Sequence, residues 1–322
     1  MKHPSKTRRS ALGAVAAVAA ALVIGACAPE TPPTTTPTSS TSSTTTSSTV
    51  PTNPVKSVTA ARLEWTISAE ANNAAFAPGQ YNYWNAGTTP ATTEGAYVAT
   101  NGDVTIQKKN ASGTYVNIGS EPAVSYANRG KNGNGTTVTA TGSTKLDQRL
   151  VLSGGSGTVN TTTGVASIAW DGAFTINFYG TFVPFQIIDP VLTVDAAGNG
   201  KLTASATGIA KDAENPDAPG TPIPATAVTL ADIPNVYGSG TRTTGFTNAA
   251  TSYLNTAVTV AGGATPQAAK TTANQAFWGS WPQSFVNFQL LTGSSSYWYT
   301  SAGSVDHFKP QAPVSVAFNL AP

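Results

Sequence analysis

Apolar and polar residues alternate with a period of two through much of this chain, and the clearest run lies at residues 165–194. Ile168, Trp170, Phe174, Ile176 and Phe178 share one parity; Ser167, Ala169, Asp171, Ala173, Thr175 and Asn177 share the other. Side chains of a strand point alternately to its two faces, so the run is a β-strand with one face on a core. A run this long, at about 3.3 Å per residue, exceeds an ordinary strand and predicts a bend or bulge at Gly172.

Shorter runs of the same kind recur. Leu63, Trp65 and Ile67 alternate with Arg62, Glu64 and Thr66 as a first strand, and the alanine-rich residues 68–76 predict one or two helical turns. Asn101-Gly102, between GAYVAT and DVTIQ, marks a hairpin whose two central residues take positive φ. Further strands are predicted at residues 114–118, 136–141, 150–157, 227–230, 257–260 and 314–318, and residues 191–194 pair with 202–206 across Gly198-Asn199-Gly200. Short strands punctuated by turn residues, with no fixed-period repeat, predict an all-β fold: an antiparallel β-sandwich with one or two short helices.

The less apolar residues 262–274 set off an aromatic-rich end at 275–322, with Phe277, Trp278, Trp281, Phe285, Phe288, Tyr297, Trp298 and Tyr299. Two readings of these rings stand side by side. They complete the core, or Trp278, Trp281, Tyr297, Trp298 and Tyr299 form an exposed patch that grips a glycan or another surface protein.

The N-terminus carries a different pattern. Lys2, Lys6, Arg8 and Arg9 precede an apolar stretch at 11–23, too short to span a membrane comfortably, and Ile24-Gly25-Ala26-Cys27 follows. This resembles the signal of bacterial lipoproteins. The resemblance implies cleavage before Cys27 and a diacylglycerol thioether on it, anchoring the chain to the outer face of the cell membrane. Arg8-Arg9 also fits a twin-arginine signal. From Pro29 onward the chain is almost wholly Thr, Ser and Pro, which has nothing to bury and predicts a disordered spacer. The expected organisation is a signal at 1–27, a spacer at 28–57 and a folded domain at 58–322.

Composition narrows the chemistry. Only 10% of the 322 residues are charged, well below the usual quarter. Removing the leader leaves 13 basic and 15 acidic residues, a net charge of −2. With no Lys/Arg cluster, nucleic acid is excluded as a partner. Cys27 is the single cysteine, which rules out a disulfide framework and thiolate metal clusters. Histidine occurs at 3 and 307 only, so a Ser-His-Asp triad would have to use His307. Its neighbour Asp306 would point to the opposite face of a strand. Gly154-Gly155-Ser156-Gly157 lacks the spacing of a nucleophile elbow, and Glu94, Glu121, Asp171 and Asp189 are scattered. The expectation is a protein that is not an enzyme. Asp195–Gly200 keeps two positions of a calcium loop but lacks its third-position acid, and reads as a turn; Asp212, Glu214 and Asp217 form a denser acidic loop.

One resemblance covers residues 63–260. WDGAFTINFYGTFVPFQIIDPVLTV, the glycine-turn hairpin after it, ATAVTLADIP and GFTNAATSYLNTAVTV together resemble, in order, the HtaA domain of actinobacterial cell-surface haem-binding proteins. The resemblance implies an antiparallel β-sandwich, envelope anchoring, and haem held by a tyrosine near the start of the domain with support from a histidine on the long strand. The family's tyrosine position falls near Ala74, with Tyr81 and Tyr83 as the nearest tyrosines, and the histidine position falls on Tyr179. Tyr179, Tyr81 and Tyr83 are therefore the candidate haem ligands, since a phenol oxygen can ligate ferric haem. The functional expectation is an envelope-anchored, non-enzymatic lipoprotein that binds or relays haem. Its alternative is a haem-independent structural or adhesive module working through the aromatic patch.

Overall fold

The computed structural model describes residues 53–211 and 218–321. The signal, Cys27, nearly all of the Thr/Ser/Pro stretch and the acidic trio Asp212, Glu214 and Asp217 lie outside the described residues.

Among those residues the chain forms fourteen strands and one α-helix. The strands are β1 (Val55–Trp65), β2 (Tyr83–Ala86), β3 (Thr100–Asn101), β4 (Val104–Lys109), β5 (Tyr115–Asn117), β6 (Gln148–Asn160) and β7 (Ala166–Ala169). They continue with β8 (Ala173–Phe178), β9 (Val183–Val194), β10 (Gly200–Ala210), β11 (Thr221–Ile233), β12 (Gly240–Thr241), β13 (Gly245–Ala249) and β14 (Val314–Leu320). The helix is α1 (Gln283–Leu291). All pairings are antiparallel, and the architecture is the all-β sandwich that the alternation predicts. The order along the main path is β11-β10-β9-β7-β6-β1-β14-β13-β12.

Two long strands change partner partway and fork the sheet. β9 pairs with β8 from Val183 to Ile188 and with β7 from Val191 to Val194. β6 pairs with β4 from Gln148 to Leu152 and with β7 from Ser156 to Val159. Each switch is marked by a left-handed residue, Asp189 (φ 50) in β9 and Gly154 (φ 69) in β6. Opposite Asp189 stands Gly172 (φ 118), whose N–H donates to the Asp189 carboxylate at 2.8 Å. The expected bend at Gly172 is thus a full break, and the long run is three strands, β7, β8 and β9. Trp170 fills the crotch of the fork. Its indole N–H donates to the Ala61 carbonyl at 2.9 Å, and its ring lies so close to Gly155 that a Cβ there would come within 2.3 Å of Nε1.

Between the layers Trp65, Phe174, Ile176, Phe185, Ile187, Leu230, Trp281, Phe285 and Trp298 close around a void of only about 10 Å³. The aromatic end is part of this core. Trp281 stacks on Phe285 at 4.8 Å and meets Trp298 edge-on at 4.9 Å. Trp281, Trp298 and Tyr299 are buried, while Trp278 is half-buried with its indole N–H on the Ala268 carbonyl. Of the two readings the core one therefore holds for Trp281, Trp298 and Tyr299 and the exposed patch is not formed: large apolar rings stabilise the protein most where water is excluded, and here they fill the sandwich.

Several local expectations are corrected. Residues 257–260 and 136–141 form no strand, and residues 68–76 are turns held by side-chain bonds, with Ser68 Oγ accepting from the Ala71 N–H. At the first hairpin Asn101 pairs with Val104, so the central residues are Gly102 and Asp103, and only Gly102 has positive φ. Helix α1 falls in the aromatic-rich end, where no helix was expected; Phe285 and Phe288 direct it onto the Phe185 ring.

Candidate functional site

Strand β8 was expected to bury one face and leave the Thr175/Asn177 face open. Both faces are buried. Thr175 donates to the Gly87 carbonyl at 2.7 Å; Asn177 donates to Tyr83 O and Asn85 Oδ1 and accepts from the Ala91 N–H. Residues 87–91 cover the polar face, and the polar side chains pair with their backbone. Buried polar groups persist only when so paired.

This covering removes Tyr83 from the accessible surface. Its hydroxyl donates to the Ala91 carbonyl at 2.8 Å, and its ring packs edge-on to Tyr97 and Tyr126, with the Arg129 guanidinium 5.6 Å from it. Burial pushes the Tyr83 phenol up to about 12, the reverse of what an oxygen ligand needs. Tyr81 bridges to Ala74, so it does stand opposite the position where the resemblance puts a tyrosine. Its ring lies against the Gly130 backbone, where a Cβ would come within 2.3 Å, and it lines neither of the cavities described next.

Tyr179 is placed differently. It follows β8 with φ 52, a left-handed turn that ends the alternation and brings the side chain against Phe178 and Tyr297. Asn82 fixes the turn by accepting the Tyr179 N–H at 3.0 Å, and the Gly180 N–H donates to the Tyr81 carbonyl at 3.0 Å. Tyr179 and Tyr297 share a short hydrogen bond between their hydroxyls. Burial, then the bond to Tyr179, strongly raises the Tyr297 phenol, and either hydroxyl can be the donor in the bond between them.

Two cavities share Tyr179 as a lining residue, and Tyr297 lines the smaller. One, of about 510 Å³, is lined by Ala77, Gln80, Tyr179, Gly180, Thr181, Phe182 and Lys211. The other, of about 210 Å³, is lined by Tyr179, Phe182, Val183, Lys211, Thr292, Gly293, Ser294 and Tyr297. Tyr179, Phe182 and Lys211 belong to both. The arrangement offers the Phe182 ring, two phenol hydroxyls bonded to each other, and the Lys211 ammonium, which donates to the Ala218 carbonyl and lies 5.9 Å from the centre of the Phe182 ring.

Behind the pair lies a buried charged cluster that sequence reasoning missed. Glu70, only 3% exposed, has one carboxylate oxygen with no hydrogen-bond partner. Burial pushes its carboxyl up to about 7 against the opposing pull of Lys309 and Lys145. Lys309 and Asp306 form an ion pair that is also buried. His307, between them in sequence, is exposed; the two residues lie in a 3₁₀ turn, Asp306–Phe308, rather than on the expected strand. Of the expected ligands the structure brings Tyr179 to a cleft, joins it to Tyr297 from the supposed patch, and leaves Tyr81 and Tyr83 elsewhere. Phe182, Lys211 and Glu70 carry no motif; only their placement in the fold reveals them.

No family model and no curated protein sequence matches the chain. Among solved structures it is similar to the C-terminal domain of HtaA from Corynebacterium glutamicum, at 12% identity and a TM-score of 0.36, across 83% of this chain and 99% of that one.

Proposed function

We propose that this chain is a non-enzymatic binding module of the cell envelope, held there through Cys27, and that the Tyr179 cleft takes ferric haem. The observation that carries the reading is Tyr179, which lines both cavities and whose hydroxyl is bonded to that of Tyr297 in the smaller one. Tyr179 would supply the oxygen, and the Tyr297 hydroxyl already bonded to it would donate to that oxygen once it holds the iron. Phe182 and Val183 supply apolar wall for a flat ring. The larger cavity lies within the range of about 300–1,000 Å³ common to small-molecule sites. Ferric haem supplies an electron-poor iron that accepts an anionic oxygen donor. The adhesive alternative loses its surface, because Trp281, Trp298 and Tyr299 are core.

The test is a hemin titration of the mature chain, followed by its Soret band. Binding that shifts the band and is lost in Tyr179→Phe supports the reading; a spectrum that stays that of free hemin ends it. Anchoring is tested separately: Cys27→Ala should move the protein out of the membrane fraction, and retention there would refute the lipid anchor.

A further inference from the structure

The 3₁₀ turn Ser295–Trp298 delivers the Tyr297 hydroxyl to Tyr179, and it is fixed at both ends by buried polar side chains. At its start Ser294 donates to Gln289 Oε1 at 2.7 Å, and the Tyr297 N–H donates to the Ser294 carbonyl at 3.2 Å. At its end the Lys309 ammonium donates to the Ser296 carbonyl at 2.7 Å, the Tyr299 carbonyl at 3.0 Å and the Ser301 hydroxyl at 2.8 Å. Asp306 holds that ammonium, and its other oxygen accepts the Ser301 N–H at 3.0 Å. Glu70 lies against the same cluster, its own N–H donating to the Phe308 carbonyl at 2.8 Å.

A buried ion pair seldom adds net stability, because removing two charges from water costs about as much as their attraction returns. What such a pair can supply is a fixed geometry. Here the geometry is specific: the two carbonyls on Lys309 belong to Ser296 and Tyr299, which bracket Tyr297 and Trp298. An apolar side chain at 309 would leave both carbonyls turned inward with no donor.

We infer that Lys309 is a positioning residue for the ligand site: its ammonium, braced by Asp306, holds Tyr297 so that its hydroxyl stays bonded to the Tyr179 hydroxyl. The inference rests on the Tyr179 cleft being the binding site, and it assigns to Lys309 no contact with the ligand. Lys309 acts on binding only through Tyr297. Its effect must therefore vanish when the Tyr297 hydroxyl is absent.

The experiment is a double-mutant cycle on the mature chain with hemin as the probe. Lys309→Met and Tyr297→Phe should each weaken hemin by about tenfold or more, the loss expected for a hydrogen bond to a charged oxygen. The double variant should be no weaker than Tyr297→Phe alone, within about twofold. Effects that multiply, or a Lys309→Met protein that binds as tightly as the parent, would overturn the inference. If Lys309→Met fails to fold, Ser301→Ala removes one acceptor of the same cradle; it should weaken hemin only while the Tyr297 hydroxyl is present. A second readout needs no hemin. In ultraviolet titration of the phenols, Lys309→Met should bring Tyr297 back toward ordinary tyrosine behaviour. Failure of hemin to bind the parent chain alongside that phenol shift would remove the haem reading and leave the positioning role standing. An unchanged phenol titration would overturn the positioning role itself.

Discussion

Glu70→Gln should make the protein more stable at neutral pH and abolish a specific part of its pH dependence. Glu70 is 3% exposed and one of its oxygens has no partner, so solvent screens it little. Its carboxyl is raised from 4.5 to about 7, chiefly by burial, with Lys309, Asn73 and Lys145 pulling the other way. The folded state thus holds this proton more tightly than the unfolded chain does. The stability is fully present below about pH 4.5 and is lost as pH rises through about 7. A difference of roughly 2.5 units at about 1.4 kcal/mol each amounts to about 3 kcal/mol across that window. Glutamine keeps the shape and cannot ionise. Urea unfolding followed by tryptophan fluorescence, for parent and variant between pH 4.5 and 7.5, measures the difference directly, and groups common to both proteins cancel. The variant should gain on the parent by about 3 kcal/mol from the acid end of that window to the neutral end. Two stability curves that stay parallel would refute the reasoning.

Two further substitutions probe the layers around the site. Lys108 is fully buried with its ammonium on the Asn128 carbonyl, and burial lowers it to about 8. Lys108→Met should therefore stabilise the protein by about 2 kcal/mol at pH 7, after allowing about 1 kcal/mol for the lost bond. The gain should shrink as pH rises from about 8 toward 10.5, where the folded lysine is already neutral; a gain that persists unchanged at pH 10 would contradict this. Asn177→Ala strips partners from the Tyr83 carbonyl, Asn85 Oδ1 and the Ala91 N–H, all inside the protein. The expected cost in urea unfolding is about 2–4 kcal/mol, and a loss below about 0.5 kcal/mol would mean that residues 87–91 do not seal this face.

The alternation of Ile168, Trp170, Phe174, Ile176 and Phe178 was enough to predict a core-facing strand and the antiparallel class, because burial selects one parity whatever the neighbours are. It could not reveal that Thr175 and Asn177 are buried as well. Their cover comes from residues 87–91, nearly ninety positions away, and a polar side chain bonded to backbone has the same letter as one in water. Tyr179 was legible as a candidate. Its direction was not, since the left-handed turn breaks the parity on which the expectation rested. Tyr297, 118 residues further on, carried no local sign that its hydroxyl would meet that of Tyr179. The exposed aromatic patch failed because ring content alone does not distinguish a surface from a core. Helix α1 was missed because Phe285 and Phe288 read equally well as strand or helix in so short an apolar run. Glu70 stands in the sequence EANNAA, where nothing marks it as buried.

The fork in the sheet bears on how the domain comes apart. β6 and β9 each run through both branches, and Trp170 plugs the junction with its indole bonded to β1. A fluctuation that peels β4 or β8 from one branch pulls on the same two strands that hold β7 in the other. Each branch carries further pairs of its own, β2 on β8 and β3 and β5 on β4, but both are tied to the rest of the sheet through β6 and β9. The domain is therefore one cooperative unit, and amide protons along β6 and β9 on both sides of Gly154 and Asp189 should exchange with solvent only through global opening.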